Sequence, residues 1–258
     1  MKLGDGESTI STVSGYYLDL MTPKWEMFRW ADIVVGLSNV SRFSGQTIVP
    51  YSVGQHSCLV ASLLREKGES VLVQWDGLTH DVEEAFPPGD LAGPCKRLPE
   101  MAGAREAQKR IKDVLRAGLG LPTEECEAVR KADKKALEIE QEVLNLIRAG
   151  RVPESWCWQP HHTRFMFNLC AWQLAPQISA DIMHWILQGT EGTFLPYLQH
   201  WIPKAVEESP VGDWESRLAN DIRQVFRRYG LDPATPAFSN FISSLERVER
   251  KGEPAAKA

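Results

Sequence analysis

The chain has 258 residues, a formal net charge of −5, 43% hydrophobic and 24% charged residues. That is enough chain for a substantial buried core in one or two domains, and the negative balance argues against extended binding to nucleic acid, where affinity comes from many phosphate contacts. No apolar run reaches the roughly eighteen residues of a membrane span. The first residues lack the apolar core of a signal peptide, and five scattered cysteines without a CxxC read as reduced thiols of a cytoplasmic protein.

In chain order, Ser11–Leu18 reads as a short strand and Thr47–Tyr51 as an extended connector. A helix is predicted over Met27–Ser41, where Phe28, Ala31, Val34, Val35 and Leu37 recur near helical period. Ser52-Val53-Gly54-Gln55 fits a capping box and opens the next helix. There Val53, His56, Val60, Leu63 and Leu64 share a face, which sends His56 inward. A third helix is expected over Ser70–Ala85, stopped by Phe86-Pro87-Pro88-Gly89, and a fourth over Ala104–Ala117. A fifth, Thr123–Arg148, carries Val129, Ala132, Ala136, Leu137, Val143, Leu144 and Ile147 on its apolar stripe, and Asp133 with them. A carboxylate on a buried stripe is costly unless paired or metal-bound.

After Gly150 the texture changes to a Trp- and Pro-rich junction. Helices follow over Thr163–Leu174, Ser179–Gln188, Asp213–Tyr229 and Ala237–Arg250, then a tail expected to be disordered. The tryptophans of this part read as core or interface rather than base-stacking groups. His161-His162 reads as an exposed pair rather than a second metal site.

The chemistry concentrates in His56, His80, Asp81 and Asp133. Imidazole nitrogens and carboxylate oxygens in this set suit one divalent transition metal, Mn²⁺, Co²⁺, Zn²⁺ or Fe²⁺. Four protein ligands leave positions open for water and a phosphoryl oxygen. Glu84, four residues after His80, falls on the same helical face, placed to orient or deprotonate a water.

These residues, together with Thr12-Val13-Ser14-Gly15, Arg42-Phe43-Ser44-Gly45-Gln46-Thr47, Leu78-Thr79-His80-Asp81-Val82-Glu83-Glu84, Gly89-Asp90-Leu91, Pro94-Cys95-Lys96 and Ala132-Asp133-Lys134-Lys135, resemble the HD-domain phosphohydrolases. The similarity is greatest to the branch holding bacterial 5′-deoxynucleotidases and phage enzymes acting on deoxynucleotides. The resemblance covers residues 8–149, and it implies an all-α fold: an HD-domain helical bundle, with a helical extension over 150–250 and a tail over 251–258. It implies that His56, His80, Asp81 and Asp133 hold the metal and that Glu84 handles the attacking water. It further assigns Arg42 to the substrate phosphate, Asp90 to the deoxyribose 3′-hydroxyl and Lys96 to a basic position beside them, with Phe43 stacking on the base. The bland alternatives are that Arg42 caps a helix, Asp90 is a turn residue, Lys96 is a solvated charge and Phe43 is core. Two departures stand out: the Pro87-Pro88 pair before Asp90, and Gly77 in a helix that should pack tightly.

The implied activity is hydrolysis of a deoxynucleotide, releasing phosphate from a monophosphate or triphosphate from a dNTP. Phosphodiesterase or alarmone hydrolysis, or non-catalytic nucleotide binding, are the alternative readings. Such relatives commonly dimerise, which leaves a homo-oligomer open, although no residue of this chain argues for one.

Overall fold

The computed structural model describes residues 8–151, 159–179, 181–182 and 184–186. All of them fall in the first of two compact units into which the chain divides, Met1–Phe194. The helices expected over Asp213–Tyr229 and Ala237–Arg250, and the tail, lie outside the described residues. The fold is all-α apart from one small hairpin.

That hairpin corrects the first expectation. Instead of one strand over Ser11–Leu18, β1 (Thr9–Ser11) and β2 (Tyr17–Asp19) pair antiparallel, with Ile10 opposite Leu18. The chain reverses between them, and Gly15 takes the left-handed conformation at φ 81° that a side chain would disfavour. Buried Asp32 anchors the turn, accepting from both the amide and the hydroxyl of Ser14 at 2.7 Å each.

Helix α1 (Trp30–Asn39) is shorter than the predicted Met27–Ser41, because a 3₁₀ turn over Trp25–Met27 replaces its start. It buries Trp30, Ile33, Val34 and Leu37. Helix α2 (Val53–Glu66) begins as expected: the Gln55 amide donates to the Ser52 hydroxyl at 3.2 Å, and the Ser52 amide to the Gln55 side-chain oxygen at 2.9 Å. Helix α3 (Val71–Thr79) does not run on to Ala85. The His80 ring bonds the Gly77 carbonyl at 2.9 Å, the acceptor that the Asp81 amide would need to extend the helix. Asp81 leaves helical geometry (φ −109°, ψ 26°), and a 3₁₀ turn over Val82–Ala85 follows.

Two glycines allow the close packing around this break. A Cβ on Gly36 of α1 would meet the Ala85 carbonyl oxygen at 2.4 Å, so only glycine lets α1 press against the Val82–Ala85 turn. A Cβ on Gly77 would lie 2.2 Å from Leu64 Cδ1 in α2. The residue that weakens α3 by propensity thus leaves room for the Leu64 side chain of α2.

Beyond the turn come the short helix α4 (Gly93–Lys96), α5 (Ala102–Gly118) and α6 (Glu127–Arg148). The buried stripe of α6 runs through Val129, Ala132, Ala136, Glu140, Leu144 and Ile147. Leu137, expected on that stripe, is 41% exposed. Asp133 lies at the edge of the stripe, its side chain 45% exposed.

Helix α7 (Pro160–Ile178) packs against α1, α2 and α3, so residues beyond 150 share the core of the preceding helices. The Trp30 indole donates to Asn168 Oδ1 at 2.7 Å, and its ring lies against Trp75, Phe167 and Trp185. Trp185 is therefore a packing residue, as expected of the tryptophans in this part. The His162 ring accepts from the Gln159 amide at 3.1 Å and helps cap α7. No helix of the described residues is long and apolar enough to cross a membrane.

Candidate metal centre

Three structural elements bring the predicted ligands together. The Ser52 capping box sets the first turn of α2, which points His56 into the core with no exposure. The break after α3 turns His80 and Asp81 to the same place, and α6 brings Asp133 across from the opposite side.

The Nε2 atoms of His56 and His80 face each other at 3.3 Å. Asp133 Oδ1 lies 3.1 Å from His56 Nε2 and 3.9 Å from His80 Nε2. Asp81 Oδ2 lies 3.1 Å from His80 Nε2 and 3.8 Å from His56 Nε2. Donors bound at about 2.1 Å to a common ion stand about 3.0–3.4 Å apart when adjacent and farther apart across it. His56, His80 and Asp81 form a mutually close triad, and Asp133 stands beside the two imidazoles without joining it.

The electrostatics also favour a cation. Burial works against a charged His80, but Asp81 and then Asp133 outweigh it and push the imidazole up to about 9. Asp81 moves the other way: burial raises it, and His80 overcomes that and holds it well below the carboxylate range. Asp133 is likewise held low, against burial, by its bond to His56 and by the charge of His80. The field that keeps a proton on His80 is one a divalent ion would satisfy. Donor chemistry, spacing and potential all fit a transition-metal site of the kind these residue types prefer.

Around this cluster stand the other predicted residues. Glu84, 1% exposed, accepts from Lys96 Nζ at 2.8 Å through Oε1, while its buried Oε2 has no hydrogen-bond partner. Burial first, and then the charge of Asp81, push its carboxyl up to about 9 despite Lys96. Lys96 is held in the charged form by Glu84 against the opposing effect of burial. Its ammonium is bonded to the site through Glu84 and is not a solvated charge.

Arg42 points inward. Its guanidinium bonds Glu140 Oε2 at 3.0 Å and lies 3.9 Å from Asp81 Oδ2, so it does not serve as a helix cap. Directly after it, Phe43, Ser44 and Gly45 are all left-handed, at φ 56°, 53° and 72°. For the two non-glycine residues this conformation costs on the order of 1–3 kcal/mol each. The turn is held from both sides: the Arg42 amide donates to the Tyr51 carbonyl at 2.9 Å, and the Phe43 amide donates to Asp90. Asp90 thus braces the turn that carries Arg42, and burial raises its carboxyl in spite of Arg42 and Lys96. The Phe43 side chain packs with Tyr51, Leu144 and Ile147, which places it in an apolar cluster.

Two features of the site lie outside the sequence reading. Glu140, fully buried, accepts from His56 Nδ1 through Oε1 at 2.7 Å. It stands seven residues after Asp133 on the same helix face, an acid within an apolar stripe, legible by the same spacing that marks Asp133. Lys112 of α5 bridges Glu83 at 3.2 Å and Glu125 at 2.6 Å and helps hold Asp81 ionised. No local pattern marked that lysine, since its partners come from distant parts of the chain.

No family model matches the chain. Two curated proteins are similar to it. The uncharacterized protein YfdR of Escherichia coli is 34% identical over 115 residues, covering 45% of this chain and 60% of that protein. An uncharacterized protein of Rhodobacter capsulatus is 32% identical over 128 residues, covering 48% of this chain and 64% of that protein. The chain thus spans about six-tenths of the length of the curated relatives it matches.

Proposed function

We propose that the chain is a metal-dependent phosphohydrolase acting on 2′-deoxynucleotides, of the kind its motifs resemble. One observation carries the reading. Three metal-type donors, His56, His80 and Asp81, lie mutually close, the two histidine Nε2 atoms stand 3.3 Å apart, and Asp133 of a third element comes within 3.1 and 3.9 Å of them. One bound Mn²⁺, Co²⁺, Zn²⁺ or Fe²⁺ would supply polarisation of a phosphoryl oxygen and acidification of a coordinated water.

The protein's own groups divide the remaining work. Glu84 takes the proton of the attacking water, and its ion pair with Lys96 aims it. A carboxyl lifted to about 9 by burial is a poor base by itself. Positive charge at the adjacent donors draws it down toward the range a base needs. Arg42, at 3.9 Å from Asp81, meets a phosphate oxygen at the edge of the donor cluster and neutralises charge as it develops. Asp90 keeps that arginine's turn in place through the Phe43 amide and reads the deoxyribose 3′-hydroxyl.

The test is turnover of metal-reconstituted protein on a panel of deoxynucleoside mono- and triphosphates, with His80→Ala and Glu84→Ala beside it. Deoxynucleoside with orthophosphate or with intact triphosphate is the expected product. Inactivity on both panels with metal verified in the protein refutes the substrate assignment and favours phosphodiester or alarmone substrates.

A further inference from the structure

Glu140 is an unusual residue for its place. It occupies the centre of the buried stripe of α6, between Ala136 and Leu144, with no exposure. An apolar side chain would fill that position without the desolvation cost of a carboxylate, several kcal/mol by general experience. What the carboxylate has instead is three partners. Oε1 accepts from His56 Nδ1 at 2.7 Å, Oε2 accepts from Arg42 at 3.0 Å, and the buried Tyr51 hydroxyl donates to the same group.

An ionised carboxylate can only accept from His56, so it favours the proton on Nδ1 and leaves Nε2 as the nitrogen that would bind a cation. Asp133, on the same face of the same helix, stands 3.1 Å from that Nε2. One helix therefore sets a carboxylate beside each ring nitrogen of His56. The second oxygen of Glu140 holds the guanidinium that reaches to 3.9 Å from Asp81.

We infer that Glu140 is a positioning residue that couples the two halves of the site, orienting His56 for the metal and Arg42 for the phosphate through one carboxylate. The inference rests on the metal-centre reading above and adds to it that cation affinity and phosphate affinity depend on the same buried group. Ion pairing alone would serve Arg42, and a backbone carbonyl alone would serve His56, as Gly77 serves His80. Only the shared carboxylate ties the two together.

The experiment compares wild type, Glu140→Gln, Arg42→Ala and the double variant, each stripped of metal and titrated with Co²⁺. Calorimetry and the visible Co²⁺ spectrum are the readouts, followed by titration of the Co²⁺-loaded proteins with inorganic phosphate. Glu140→Gln is expected to weaken Co²⁺ binding about 10–100-fold, the usual effect of removing a carboxylate behind a metal-binding histidine, and to alter the spectrum. It is also expected to weaken phosphate as much as Arg42→Ala does, with the double variant no worse than either single one for phosphate. Co²⁺ affinity at the wild-type level in Glu140→Gln, or phosphate losses that simply add, overturns the coupling while leaving the metal centre intact. Wild type that takes up no Co²⁺ overturns the metal centre and the coupling with it. Should Glu140→Gln fail to fold by circular dichroism, Glu140→Asp makes the same comparison, since it keeps the charge and loses the reach.

Discussion

Replacing Glu84 by Gln should stabilise the metal-free protein at alkaline pH while it abolishes turnover. The carboxyl is pushed up to about 9 in the fold, against about 4.5 in the unfolded chain. A raised acid contributes stability that is fully present below pH 4.5 and is lost as pH rises through 9, because the folded state must ionise a group that the unfolded state ionises easily. Between pH 6.5 and 8.5 these two values imply a loss of about 2–3 kcal/mol from Glu84. Glutamine has the same shape and no such loss. Glu83, raised to about 7 chiefly by burial, titrates in both proteins and largely drops out of the difference. The assay is urea unfolding in the presence of chelator at both pH values. Wild type should lose about 2–3 kcal/mol more than Glu84→Gln over that interval. Parallel pH dependences would show that Glu84 titrates normally, and would refute the claim that burial and Asp81 hold it protonated.

Three further outcomes are expected. Metal at a hundred times its dissociation constant should stabilise wild type by about 2.7 kcal/mol, and a thermal-shift assay should show no such gain for His80→Ala. Lys96→Met removes the cation paired with Glu84 at 2.8 Å, so the acid limb of kcat/KM should move to higher pH by about one unit; the discount for partial exposure of Lys96 keeps the shift that small. Gly36→Ala puts a methyl 2.4 Å from the Ala85 carbonyl oxygen, and denaturant unfolding should show a loss of about 1–3 kcal/mol from overpacking, with kcat reduced because the displaced turn carries Glu84.

Legibility in the sequence followed the range of the interaction that decides each element. The α2 start was readable because a capping box is a local device: Ser52 and Gln55 satisfy each other within four residues. His56 then followed from helical period alone. The hairpin was read as a single strand because each strand is only three residues long, too short for alternation to show, and the decisive anchor, Asp32, lies 18 residues from Ser14. The apolar stripe expected for α6 holds both Ala136 and Leu137, with Asp133 midway between Val129 and Leu137. The observed stripe keeps Ala136, continues to Glu140 and leaves Leu137 exposed.

The break after α3 shows how a site can depend on an interaction that periodicity does not carry. Apolar spacing argues for one helix from Ser70 to Ala85, and in such a helix His80 and Asp81 would diverge by about 100° around the axis. They converge because the His80 ring takes the Gly77 carbonyl at 2.9 Å and Asp81 turns out of the helix. The same bond leaves His80 Nε2 facing His56 Nε2. One side-chain-to-backbone contact thus ends the helix, fixes the imidazole and swings the neighbouring carboxylate to the same point. Gly77 contributes twice, through its carbonyl to His80 and through its missing side chain to the approach of Leu64. The glycine that looked like a departure from the motif is therefore part of what assembles it.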